Sequence, residues 1–80
     1  MDQDERERRK FLEEQLEWCK EKNIILDEID NVLKQMKAIA EDVLQSEFAP
    51  DEIEESNRQL TKLKLRINFL EQQLYVEVVN

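Results

Sequence analysis

The chain's only proline, Pro50, stands in a sequence that contains no glycine, and that pairing restricts the possible folds more than any other feature. Proline lacks a backbone N–H and its ring crowds the preceding turn, so it opens helices and breaks their interiors. One helix must end ahead of Pro50 and another begin at it. With Ala49 as N-cap, Phe48 and Ile53 take the two positions of a hydrophobic staple, and Asp51 and Glu52 stand at the positive end of the new helix. The stretch Phe48-Ala49-Pro50-Asp51-Glu52-Ile53 therefore marks the turn of the chain, at about residues 47–50.

Composition indicates what lies on either side. The 80 residues are 40% charged and 40% hydrophobic with few aromatics, the profile of long helices and not of a sheet or a disordered tail. A chain this short forms one domain at most and has difficulty enclosing a self-sufficient core, so copies of itself or other partners are expected. Twenty acidic residues against twelve basic ones leave a formal charge of −8, which repels phosphate backbones and anionic headgroups. Neither nucleic acid nor a membrane is expected as a partner. Cys19 is the single cysteine and histidine is absent, so no intrachain disulfide can form and a metal site would need carboxylates alone. No apolar run approaches the roughly 18 residues of a membrane span, and the charged start has no hydrophobic region behind it, which reads as a cytoplasmic protein.

Before the turn, the periodicity predicts a helix over about residues 4–46, on the order of 65 Å long at 1.5 Å per residue. Asp2 and Glu5 resemble a capping box, and Glu5 stands four residues before Arg9 as a helical ion pair. Residues 1–10 are charged throughout and fray-prone, because a terminal segment with no apolar stripe has nothing to dock. From Phe11 onward three apolar rows repeat every seven residues. They are Leu12, Cys19, Leu26, Leu33 and Ala40; Ile29, Met36 and Val43; and Phe11, Trp18, Ile25, Val32 and Ile39. Three apolar positions in seven make a stripe wider than a two-stranded seam, so this helix is expected to touch more than one neighbour. Lys22 falls on a core-type position beside Asn23, a poor helix former, and a break there would give a three-helix bundle instead of a hairpin.

After the turn a second helix is expected over about residues 50–76. Ile53, Leu60, Ile67 and Leu74 repeat every seven residues, with Leu63 and Leu70 three later, and Glu54 and Arg58 add an ion pair on the exposed side. Leu65, Phe69 and Val76 lie on roughly the opposite side. The β-branched end is expected to be a frayed tail over 77–80. Folding at the turn brings Leu44 near Ile53, Met36 near Leu60, Leu33 near Leu63, Ile29 near Ile67 and Leu26 near Leu70. The second helix runs out opposite Trp18, leaving Phe11, Leu12 and Leu16 overhanging. The expected architecture is an all-α antiparallel hairpin forming a single domain and dimerising into a four-helix bundle.

Catalysis is not expected, because long helices in a hairpin offer no cleft in which carboxylates acquire separate acid and base roles. Asp51, Glu52, Glu54 and Glu55 lack the alternating ligands and glycine of a calcium loop and suit a helix N-terminus. Arg6, Arg8, Arg9 and Lys10 are interleaved with acids and read as a solvated face. Cys19 reads as a small buried hydrophobe. No metal or cofactor is expected. The span from Ile29 to Ile67, with Met36-Lys37-Ala38-Ile39-Ala40 before the turn, faintly resembles the helical hairpin near the start of bacterial flagellins without its loop glycine. In size the chain is similar to small acidic sporulation aspartyl-phosphate phosphatases, but Ser56-Asn57-Arg58-Gln59-Leu60 departs from their Ser-Gln-Glu-Leu-Asp motif, and no residue role follows from either. The expected function is a protein-interaction or structural module that self-associates through Phe11, Leu12, Leu16, Trp18, Ile25, Leu65, Phe69 and Val76. The alternative is a small acidic regulator or chaperone-like binder that covers a helix of another protein.

Overall fold

A computed structural model of the chain describes residues 2–76, with the backbone alone at Val76. It contains two helices, α1 (Gln3–Gln45) and α2 (Pro50–Val76), folded back on each other as a hairpin. The frayed tail expected at 77–80 lies outside the described residues. Helix α1 begins one residue earlier than expected because Asp2 caps it, its carboxylate accepting the Glu5 N–H at 2.8 Å. It ends at Ser46, whose N–H donates to the Asp42 carbonyl at 3.0 Å before the backbone turns extended.

The turn follows the chemistry of its residues. Ala49 accepts backbone bonds from Glu52 and Ile53 at 2.9 and 3.0 Å, which makes it the N-cap and Pro50 the first helical residue. Alanine has no side chain to cap with, and Glu52 supplies the missing half by accepting the Ala49 N–H at 3.4 Å, the arm of a capping box that reaches backwards. Phe48 is half-buried at the staple position.

The three-helix alternative is corrected: α1 runs unbroken through Glu21-Lys22-Asn23. Lys22 is only 4% exposed, yet its amine donates to the Gln73 carbonyl at 3.1 Å and lies 5.6 Å from the centre of the Trp18 ring. Gln73 belongs to the last turn of α2, where helix carbonyls lack helical partners and carry partial negative charge. That turn has no basic residue of its own. The cation at a core position is therefore satisfied where it stands, and nothing forces the helix to bend.

The seam between the helices is narrower than the apolar stripe of α1. On α1 its enclosed or half-enclosed positions are Lys22, Ile25, Ile29, Val32, Met36, Ile39 and Val43, with Glu28 half-enclosed at its edge, and on α2 they are Ser56, Leu60, Leu63, Ile67, Leu70 and Leu74. Both series alternate steps of three and four, the spacing of two helices packed side by side. Among the described residues the apolar side chains fully enclosed are Val32 (6% exposed) and Leu70 (1%). The expected pairings of Ile29 with Ile67 and Met36 with Leu60 stay on the seam. Those of Leu26, Leu33 and Leu44 are corrected, because all three side chains are exposed, Leu44 by 85%. Ile25, Val32 and Ile39 take their place. Ser56, small and 9% exposed, fills the position facing this row nearest the turn.

The molecule measures 70 × 20 × 10 Å. Its 27-residue α2 is about 40 Å long and covers little more than half of α1. The accessible surface is 6891 Å², roughly a third more than the about 5,100 Å² of a compact monomer of equal mass.

Candidate interaction face

Every residue from Asp2 to Glu21 is exposed, so the overhang expected past the end of α2 exists. On it Phe11, Leu12 and Leu16 each leave more than half their surface in water. Helix α1 can extend this far unsupported because its start is capped and its surface carries local pairs, such as Arg9 with Glu13 at 3.3 Å. Arg9 thus turns towards Glu13 and not to the expected Glu5. Trp18, at the root of the overhang, is 38% exposed, with the Lys22 amine over its ring.

Ile25 does not belong with these residues. It is half-buried on the row that contains Val32, and so lies in the hairpin seam. Leu65 and Phe69 are exposed on α2, as their spacing indicates. Phe69 has a local neighbour, because the Arg66 guanidinium lies 5.4 Å from its ring centre and also pairs with Glu28 across the hairpin. The Val76 side chain lies outside the described residues.

The structure adds residues that the periodicity places inside. Leu26, Leu33 and Leu44 are exposed, and with Leu12, Leu16 and Cys19 they form one stripe along the outer flank of α1. Cys19 is itself exposed, which corrects its reading as a buried hydrophobe. Periodicity alone leaves the choice open: Leu26-Leu33-Ala40 and Ile25-Val32-Ile39 each make three-and-four spacing with Ile29-Met36-Val43. The signal that separates them is the opposite charge of Glu28 and Arg66, which pair across the hairpin in the observed register.

The remaining candidates are local. Arg58 pairs with Glu55 and not with the expected Glu54. Asp51, Glu52, Glu54 and Glu55 are exposed, and Glu52 is engaged at the N-cap. Among the described residues no group of three or more metal-ligating side chains converges, and no helix is long and apolar enough to cross a membrane. What the arrangement offers is apolar area along the exposed flank of a long helix.

Compared with protein-family models, with curated proteins and with solved structures, the chain matches none. The likenesses to the flagellin hairpin and to the sporulation phosphatases accordingly rest on length and spacing alone.

Proposed function

We propose that this chain is a non-enzymatic cytoplasmic interaction module that self-associates through the apolar helix faces its hairpin leaves uncovered, forming a dimeric four-helix bundle. The observation that carries the reading is that Leu12, Leu16, Leu26, Leu33 and Leu44 are all exposed along α1. Single exposed apolar side chains are ordinary, whereas a contiguous stripe of this length on a small chain is the mark of a contact surface. Leu65 and Phe69 supply a second, shorter apolar area on α2.

Sedimentation equilibrium at micromolar concentration tests the reading. The expected species is a dimer, and replacing Leu65 and Phe69 together with Glu weakens the assembly while the helices persist. A parent chain that sediments at 9.7 kDa and remains folded on dilution would exclude self-association. The same exposed faces then fit the regulator reading, in which a helix of another protein covers them, and a stoichiometric unrelated partner copurifying from the native cell is its outcome.

A further inference from the structure

We infer that the occupant of the α1 stripe is the α1 stripe of a second copy, lying antiparallel. The inference rests on the self-association reading and adds which face meets which and in which direction.

Three observations carry it. The first is the length of the stripe. Leu12, Cys19, Leu26 and Leu33 repeat every seven residues on the outer flank, with Leu16 and Leu44 bordering it at the two ends, and the row runs about 48 Å along a helix without a break. A straight row of that length fits another straight helix. A compact domain could touch only part of it.

The second is area. The elongated hairpin exposes roughly 1,800 Å² more than a compact monomer of equal mass, room enough for the about 800 Å² that each partner contributes to a standard stable interface.

The third is charge, which sets the direction. The turn end of the hairpin carries seven carboxylates and no cation between Glu41 and Glu55. The opposite end carries the cations Arg6, Arg8, Arg9 and Lys10 among its acids. A parallel pair of copies would set the two all-acidic ends side by side. An antiparallel pair sets each acidic end beside residues 1–10 of the other copy, where four cations balance four acids, so that the repulsion of the parallel orientation is relieved in the antiparallel one. The antiparallel pair also puts the overhang to use: Leu12 and Leu16 of one copy come to lie along Leu44 of the second, each covering what the other leaves in water.

Cys19 reads the direction out, because it stands on the stripe and is exposed. In the antiparallel pair the two Cys19 residues are about 30 Å apart along the helices, far outside the roughly 7 Å between Cα atoms that a disulfide permits. Cys19 instead approaches Ala40 of the second copy. The experiment is mild oxidation of the full chain, run beside sedimentation of the same samples, with linked peptides identified by digestion and mass spectrometry. The parent is expected to sediment as a dimer without forming a covalent one. The Ala40→Cys variant is expected to become covalently dimeric, Cys19 of each copy joining the thiol introduced at position 40 of the other. Ala40 is exposed, so the substitution leaves the hairpin seam intact. A Cys19–Cys19 link in the parent overturns the antiparallel arrangement in favour of a parallel one. A variant that sediments as a dimer without a link between Cys19 and position 40 overturns this face as the contact while leaving self-association standing. A monomeric parent removes the reading on which both rest.

Discussion

The two halves of α1 share one set of seven-residue apolar rows and have opposite circumstances. From Lys22 to Val43 the helix lies against α2 and two of the three apolar rows are enclosed or half-enclosed; from Phe11 to Glu21 the rows continue with every residue exposed. Phe11 and Trp18 occupy the same register position as Ile25 and Val32. Phe11 is 58% exposed and Val32 6%. The difference shows that in this chain burial is decided by where α2 stops and not by the local pattern, and that the pattern extends beyond what the hairpin can satisfy. The proposed self-association rests on that excess of pattern over intramolecular partner.

The sharpest way to break the comparison is to remove equal volume from a seam position and from a stripe position. Leu70→Ala opens a cavity at an enclosed site and is expected to cost about 2–5 kcal/mol, at any protein concentration. Leu33→Ala takes the same atoms from an exposed site, so the hairpin itself should change by no more than about 0.5 kcal/mol. Whatever further loss it shows should grow with protein concentration, because the proposed dimer is what covers Leu33. Melting curves of both variants over a dilution series separate the two. Equal losses independent of concentration would place Leu33 in the seam after all.

The two helices and the turn were legible in the sequence because Pro50, the absence of glycine and the seven-residue rows all act locally, and each constrains the backbone where it stands. The overhang was legible too, since it follows from unequal helix lengths about a fixed turn. Which flank of α1 faces α2 was not. Two adjacent rows share Ile29, Met36 and Val43 as a third, and a rotation of the helix by about a seventh of a turn exchanges them at nearly equal apolar area. The choice is made by terms that depend on the partner helix: Glu28 meeting Arg66, and Ile39 falling on the row that small Ser56 faces. The Lys22 cap was hidden for a similar reason. A lysine at a core position reads as a defect until the end of α2 is known to lie opposite it.

Lys22 marks the border between the two halves, and a smaller effect is expected there. Lys22→Met keeps most of the side-chain bulk and removes the donor to Gln73, a loss of about 1.5–3 kcal/mol for a charge-assisted bond, offset in part by the apolar replacement. The last turn of α2 should lose amide-exchange protection while the turns near Leu60 keep theirs. Trp18, the only tryptophan, reports the same event, because the amine over its ring is gone and its emission should change. A variant with unchanged protection at Gln73 and unchanged emission would show that the helix end is held by something other than this cation.

The smallest effect is expected at the far end of the overhang. Asp2→Ala removes the carboxylate that accepts the Glu5 N–H, a change worth about 0.5–2 kcal/mol to the stability of a helix start. In the paired half such a loss would register in the melting temperature of the whole hairpin, because the helix there is coupled to the seam. At Asp2 it has no such route, since every residue up to Glu21 is exposed and no hairpin contact reports on it. The first turns should therefore lose helix locally, seen as faster amide exchange over about residues 3–10, while the melting temperature of a dilute sample stays at the parental value. In concentrated samples the two halves should become linked, because the antiparallel arrangement sets the start of α1 beside the acidic turn of a second copy. A melting temperature that falls with Asp2→Ala only above the association threshold would show the overhang being ordered by that contact, whereas a fall at every concentration would mean that the start of α1 is held within its own hairpin.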